Sequence, residues 1–179
     1  MIGVLVSGGG TNLQALLDNG LPVVAVASSK AGVRALERAE AAGVPTEVFA
    51  RKHFDSREQH DLAMADWLDS HTVSVVVCAG YMHLLAPAFL DRFPRRIVNV
   101  HPSLLPAFPG THAVEDALAA GATETGVTVH IVDEGVDTGP ILAQERVAIE
   151  PDETAEQLRE RLHAVEHRLL PEVVGELVR

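Results

Sequence analysis

Over its first hundred residues the chain alternates short β-branched runs with stretches of helical spacing, a pattern that few folds accept. Strands are expected at Ile2–Val6, Pro22–Ala27, Thr46–Phe49, Val73–Ala79 and Arg96–His101. Helices are expected between them at Asn12–Asn19, Val33–Ala42 and Ser56–Ser70. This order implies right-handed crossovers and a mostly parallel, doubly wound, Rossmann-like α/β sheet. After Gly121 the pattern changes. A helix at Ala113–Ala120 precedes strands at Gly126–Val132 and Ile141–Ile149, which flank a tight turn, and a helix at Thr154–Val178 follows. The second half therefore reads as an antiparallel or mixed extension of the sheet, closed by a C-terminal helix. No repeat or linker-like segment interrupts the 179 residues, so one domain spanning 1–179 is expected.

Composition sharpens this reading. Hydrophobic residues make up 47% but aromatics only 4%, so the core must be aliphatic, as in buried parallel strands. A formal charge of −11 argues against nucleic acid as the main partner, but leaves room for a small phosphorylated ligand held by a few local donors. The single cysteine, Cys78, allows no internal disulfide and reads as a buried core residue in a reducing, cytoplasmic setting. Thr72 to Leu90 carries no Asp, Glu, Lys or Arg. Its Gly80, His83 and Pro87 make it a buried strand followed by a loop rather than a membrane span. The N-terminus shows no basic leader, so no signal peptide is expected.

Three stretches carry chemistry. Ser7-Gly8-Gly9-Gly10-Thr11-Asn12 joins the first strand to the first helix, where free backbone N–H groups face an anion. No Lys follows the glycines, and Leu13 stands where a third dinucleotide-binding glycine would be, so a monophosphate fits better than ATP or NAD. A plain strand-to-helix turn is the alternative. In Asn99-Val100-His101-Pro102, strand alternation puts Asn99 and His101 on one face, and Pro102 then stops the ladder. Both should face a crevice at the carboxyl end of a central strand, although a core Asn and His are also conceivable. The turn Val132 to Pro140 offers Asp133, Glu134 and Asp137 among two glycines; a carboxylate there could sit beside an imidazole and relay protons. By itself it could be a hairpin turn.

The segments H-P-S-L-L-P-A-F-P-G and E-T-G-V-T-V-H-I-V-D-E-G-V-D-T-G-P resemble the folate-dependent formyltransferase family. The opening S-G-G-G-T-N-L-Q-A-L-L, with F-D-S-R at Phe54–Arg57 and V-E-H at Val165–His167, resembles its ribonucleotide branch. The resemblance runs from Val4 to about Val174. It implies formyl transfer from 10-formyltetrahydrofolate, as co-substrate, to the amino group of glycinamide ribonucleotide, a purine-biosynthetic reaction needing neither metal nor ATP. It further implies a catalytic set of Asn99, His101 and Asp137. Gly10, Thr11, Asn12 and Glu166 would hold the ribonucleotide. Arg57, Met82, His83, Leu84, Leu85, Val132 and Glu134 would hold the folate. The half 1–100 would then serve the ribonucleotide, and 101–179 the folate and the catalysis. The chain departs from its relatives in carrying His83 where Arg is frequent, Ala107 at an often basic position, Thr128 for Ser, and a short C-terminus.

Under that reading Asn99 and a protonated His101 stabilise the tetrahedral oxyanion, while Asp137 supports the imidazolium and moves a proton through water. Three rivals stand beside it. His163-Ala164-Val165-Glu166-His167 spells a zinc-hydrolase signature, although only twelve residues follow it to supply a further acidic ligand. A non-enzymatic phosphate-binding domain would leave Asn99, His101 and Asp137 idle. Formyl transfer to an amino sugar or to methionyl-tRNA is the third, and the tRNA branch normally adds a basic domain.

Overall fold

The computed structural model describes residues 1–179. Seven strands form one sheet in the order β3-β2-β1-β4-β5-β6-β7. They are β1 (Ile2–Val6), β2 (Val23–Ser28), β3 (Thr46–Val48), β4 (Val75–Cys78), β5 (Ile97–His101), β6 (Glu124–Ile131) and β7 (Ile141–Ala148). β1 to β5 pair in parallel, whereas β6 runs antiparallel to both β5 and β7. The helices are α1 (Thr11–Asp18), α2 (Arg34–Ala41), α3 (Arg57–Ser70), α4 (Pro87–Arg92), α5 (Ala113–Ala119) and α6 (Ala155–Leu177). The expected doubly wound sheet with a mixed extension and a C-terminal helix is therefore present.

Strand alternation sorts the aliphatic residues into two layers. Val4, Val6, Val75, Val77 and Val98 pack under α1, α2 and α6, meeting Leu13, Leu16, Leu162 and Leu170. Leu5, Val76, Cys78 and Ile97 face the other way, against Met64 and Leu68 of α3 and Phe89 and Phe93 near α4. Both faces of the central strands are thus buried, which is why they read as continuous Val-rich runs. Burial pushes the Cys78 thiol up to about 12, consistent with an inert packing role.

Two helix starts follow from capping chemistry. Ser56 Oγ accepts the Gln59 N–H at 3.1 Å, and Thr154 with Gln157 forms a reciprocal capping box. Two short elements depart from the sequence reading. Residues after β4 were expected to be loop, but α4 forms there because Pro87 occupies its first turn, where a missing N–H costs nothing. A 3₁₀ turn at Arg51–His53 also lies between β3 and α3. No helix is long and apolar enough to cross a membrane.

Candidate active site

β1 leads towards β2 on one side and β4 leads towards β5 on the other, so the winding reverses between β1 and β4. In open α/β sheets the crevice beyond such a reversal is where ligands bind. The loops following β1 and β4 flank it. They are joined there, because the Met82 N–H donates to Ser7 Oγ at 3.1 Å and Ser7 Oγ lies 2.8 Å from Ser29 Oγ.

In the glycine loop, Gly10 sits at φ +72°, and a Cβ on it would lie 2.6 Å from Ala35 Cβ. Its first duty is therefore close packing of α1 on α2. Gly8 and Gly9 face open space. The Gly8 and Gly9 carbonyls are occupied by the Ala35 N–H and by Arg38 Nε at 2.9 Å. α1 has no side-chain cap and no acidic residue in its first turn, so its leading N–H groups remain available to an anion. Thr11 is exposed.

Asn12 differs from the expectation that its amide faces a phosphate. Its Nδ2 donates to Glu166 Oε2 at 2.9 Å, and its Oδ1 is buried without a partner. Glu166, expected at the substrate's amino end, is brought beside the glycine loop by α6 and is 5% exposed. Burial raises its carboxyl above the usual carboxylate range, against the opposing pull of Asn12 and the His163 charge. His163 and His167 stack along α6 with ring centroids 6.0 Å apart. Burial, then His163 and Arg38, hold the His167 imidazole low, and its Nε2 is also buried without a partner. A cavity of about 320 Å³ is lined by Thr11, Gln14, Arg38 and His167 among others.

At the end of β5 the structure brings Asn99, His101 and Asp137 together. His101 Nδ1 lies 3.3 Å from Asp137 Oδ2, which also accepts the Gly110 N–H at 2.8 Å. Burial alone would raise Asp137. The neighbouring His130 ring, the Gly110 N–H and the nearby His101 outweigh it and hold the carboxyl below its ordinary value. Asp137 itself adopts φ +54°, a left-handed conformation in a loop containing Gly135 and Gly139. His101 is not open to a crevice as expected. Its Nε2 donates to the Phe108 carbonyl at 2.8 Å, and the residue is 4% exposed. The prolines that end the strand fold its loop back over the ring instead of holding it away.

A fourth residue, His130, was not singled out in the sequence. Antiparallel pairing sets it directly opposite Asn99, and its Nε2 lies 3.3 Å from Asn99 Nδ2 and 3.5 Å from Asp137 Oδ1. Its Nδ1 donates to the Ile131 carbonyl at 2.9 Å, which leaves Nε2 free to accept from the Asn99 amide. The signal was the alternation of Thr128 and His130 on one face of β6. Thr128 Oγ1 donates to the Ser103 carbonyl and accepts from the Leu105 N–H and Gln144 Nε2, pinning the proline-rich loop.

The residues expected to hold folate surround the loop after β4 and the turn after β6. Met82 is 60% and Leu84 52% exposed, while Leu85 is buried. Exposed apolar residues beside a crevice mark a surface that a ligand can cover. Burial, followed by the charges of His60, Lys30 and Arg51, lowers His83 despite the opposing Asp61. Arg57 is exposed in the first turn of α3. Val132 is half-buried and Glu134 exposed in the turn after β6.

The family model described as formyl transferase matches residues 1–174. The chain is 37% identical to the phosphoribosylglycinamide formyltransferase of Bacillus subtilis over 181 residues, covering 98% of this chain and 93% of that protein. A trifunctional purine biosynthetic protein of Chironomus tentans is 44% identical over 181 residues, but this chain spans only 13% of its length. The crystal structure of phosphoribosylglycinamide formyltransferase from Streptococcus pneumoniae superposes with a TM-score of 0.96 at 42% identity, covering 99% of this chain and 98% of that one. The chain therefore belongs to the formyl transferase family, in the company of the phosphoribosylglycinamide formyltransferases.

Proposed function

We propose that this chain transfers a formyl group from 10-formyltetrahydrofolate to the amino group of glycinamide ribonucleotide, within one domain spanning 1–179 and in a cytoplasmic setting. The observation that carries this reading is the meeting of Asn99, His101, His130 and Asp137 where the parallel strand β5 adjoins the antiparallel β6. The glycine loop, at the matching end of β1, would supply backbone N–H groups and the Thr11 hydroxyl to the ribonucleotide phosphate. Glu166 would meet the same substrate. Arg57 would pair with the folate's glutamate carboxylate. Met82 to Leu85, with Val132 and Glu134, would border the pterin.

The neutral amine nitrogen attacks the formyl carbon, and the carbonyl electrons move onto oxygen. Asn99 Nδ2, oriented by His130, donates one hydrogen bond to that oxygen, and His101 donates a second once its Nε2 exchanges the Phe108 carbonyl for substrate. Asp137 holds the imidazolium. The tetrahedral intermediate then collapses as the carbon–N10 bond breaks. The proton lost by the attacking nitrogen reaches N10 through a water beside Asp137, so charge and protons balance without a covalent enzyme intermediate. Formyl transfer measured with glycinamide ribonucleotide beside amino-sugar acceptors tests the reading. Turnover of the ribonucleotide alone is expected; preference for an amino-sugar nucleotide would overturn the acceptor.

A further inference from the structure

Beneath the loop after β4 lies a buried polar pair that no step of the proposed chemistry uses. His60 and Asp61, on the second turn of α3, are each 2% exposed. His60 Nδ1 lies 2.6 Å from Asp61 Oδ1, and its Nε2 lies 2.8 Å from the Phe49 carbonyl oxygen. Each ring nitrogen is thus held by an oxygen, one from a side chain and one from the backbone. Phe49 and Phe54 meet the ring edge-on, with centroids 6.5 and 5.2 Å away. Asp61 Oδ2 accepts the Ala86 N–H at 2.6 Å. Ala86 is the N-cap residue immediately before α4.

That hydrogen bond is one of two that suspend the loop. The Met82 N–H is tied to Ser7 at one end and the Ala86 N–H to Asp61 at the other. The exposed side chains of Met82, His83 and Leu84 hang between them. Asp61 also lies one helical turn from Arg57, so a single rigid element carries both the loop's anchor and the candidate partner of the folate carboxylate. A buried ion pair is weak evidence for stability, because an apolar pair of similar volume commonly does as well. Its use here is geometric.

We propose that the buried His60–Asp61 pair is a positioning device, holding the Met82–Leu85 loop at a set distance from the start of α3 and thereby setting affinity for the folate. The inference rests on the folate reading of that loop. Asp61→Ala removes the anchor. Asp61→Asn restores each hydrogen bond without charge, since its amide oxygen accepts from Ala86 and its amide nitrogen donates to a neutral His60 Nδ1. Ala86→Pro deletes only the anchored N–H, and the backbone φ of −70° already suits proline.

Asp61→Ala and Ala86→Pro are each expected to raise the KM for 10-formyltetrahydrofolate roughly tenfold to a hundredfold. The KM for the ribonucleotide and the saturating kcat should stay within about twofold. Asp61→Asn should return the folate KM close to wild type. Hydrogen–deuterium exchange of the segment 81–90 gives a readout independent of turnover. It should quicken in Asp61→Ala and Ala86→Pro and return to the native rate in Asp61→Asn. Unchanged folate KM and protection in the Ala and Pro variants would overturn the proposal, as would equal rises in both KM values or an Asn variant no better than Ala. Should Asp61→Ala fail to fold, the Pro and Asn variants decide alone. A wild-type chain that transfers no formyl group would sink the functional reading, while the exchange rates still decide whether Asp61 holds the loop.

Discussion

Replacing Asp137 by Asn keeps the size of the side chain and removes its charge. At 3.3 Å from His101 Nδ1, a unit charge pair is worth about 5 kcal/mol at an effective dielectric constant near 20. Loss of general acid–base function typically costs on the order of 10²–10⁴-fold in rate, or about 2.7–5.5 kcal/mol of barrier. The two figures coincide, so kcat is expected to fall by about that factor. With its amide oxygen in the place of Oδ2, which faces both Gly110 N–H and His101, the new amide nitrogen stands where Oδ1 lies 3.5 Å from His130 Nε2. KM for either substrate should move far less, because the loss falls on the transition state. The assay is steady-state formyl transfer across pH. In the wild type, a carboxyl held low by folding stabilises the native state above the ordinary carboxylate range. It loses that contribution as pH falls through the depressed folded value, so the acid limb should be present in wild type and altered in Asp137→Asn. A variant retaining most of its kcat with a weakened folate KM would refute the reasoning and leave Asp137 as a wall of the pocket.

Gly9→Val meets no atom in the fold but intrudes on an anion at α1, so the ribonucleotide KM should rise about tenfold to a hundredfold while the folate KM and the melting temperature hold. Gly10→Val, by contrast, collides with Ala35, and differential scanning calorimetry should show lost stability before any kinetic change is interpretable. His130→Phe removes the acceptor that orients Asn99, and kcat is expected to drop on the order of tenfold to a hundredfold with smaller KM changes; wild-type turnover would remove His130 from the cluster. Thr128→Val strands the Leu105 N–H and the Ser103 carbonyl, costing roughly 1–3 kcal/mol in urea denaturation. Dialysis against EDTA should leave activity intact; loss restored by zinc would favour a hydrolase built on His163, Glu166 and His167.

The sheet was legible because β-branched runs in its parallel core are buried on both faces, and the strand bounds agree within about two residues. α4 escaped notice because Pro87-Ala-Phe-Leu-Asp-Arg is too short to show a helical period, and its proline reads as a breaker rather than a first-turn residue. Asn99 and His101 could be singled out because strand parity is local, whereas Asp137 was paired with them only through the family resemblance; the structure does set its carboxylate beside His101. His130 was not, because its meaning depends on which residue of a distant strand lies opposite. The fold-back of Phe108 onto His101 and the commitment of Asn12 to Glu166 are likewise tertiary facts. No spacing announces them.

The bond between Asn12 and Glu166 joins residues 154 positions apart, and the apolar faces of α1 and α6 close over the same stretch. On the ribosome, at about 5–20 residues per second, the first helix would wait roughly 8 to 30 s for its partner to be made. Throughout that interval Leu13 and Leu16 lack the cover that Leu169, Leu170 and Val174 later provide. The end of the molecule proposed to receive the phosphate is therefore completed late, though its loop is among the first segments translated. A nascent chain holds its glycines long before it holds a site.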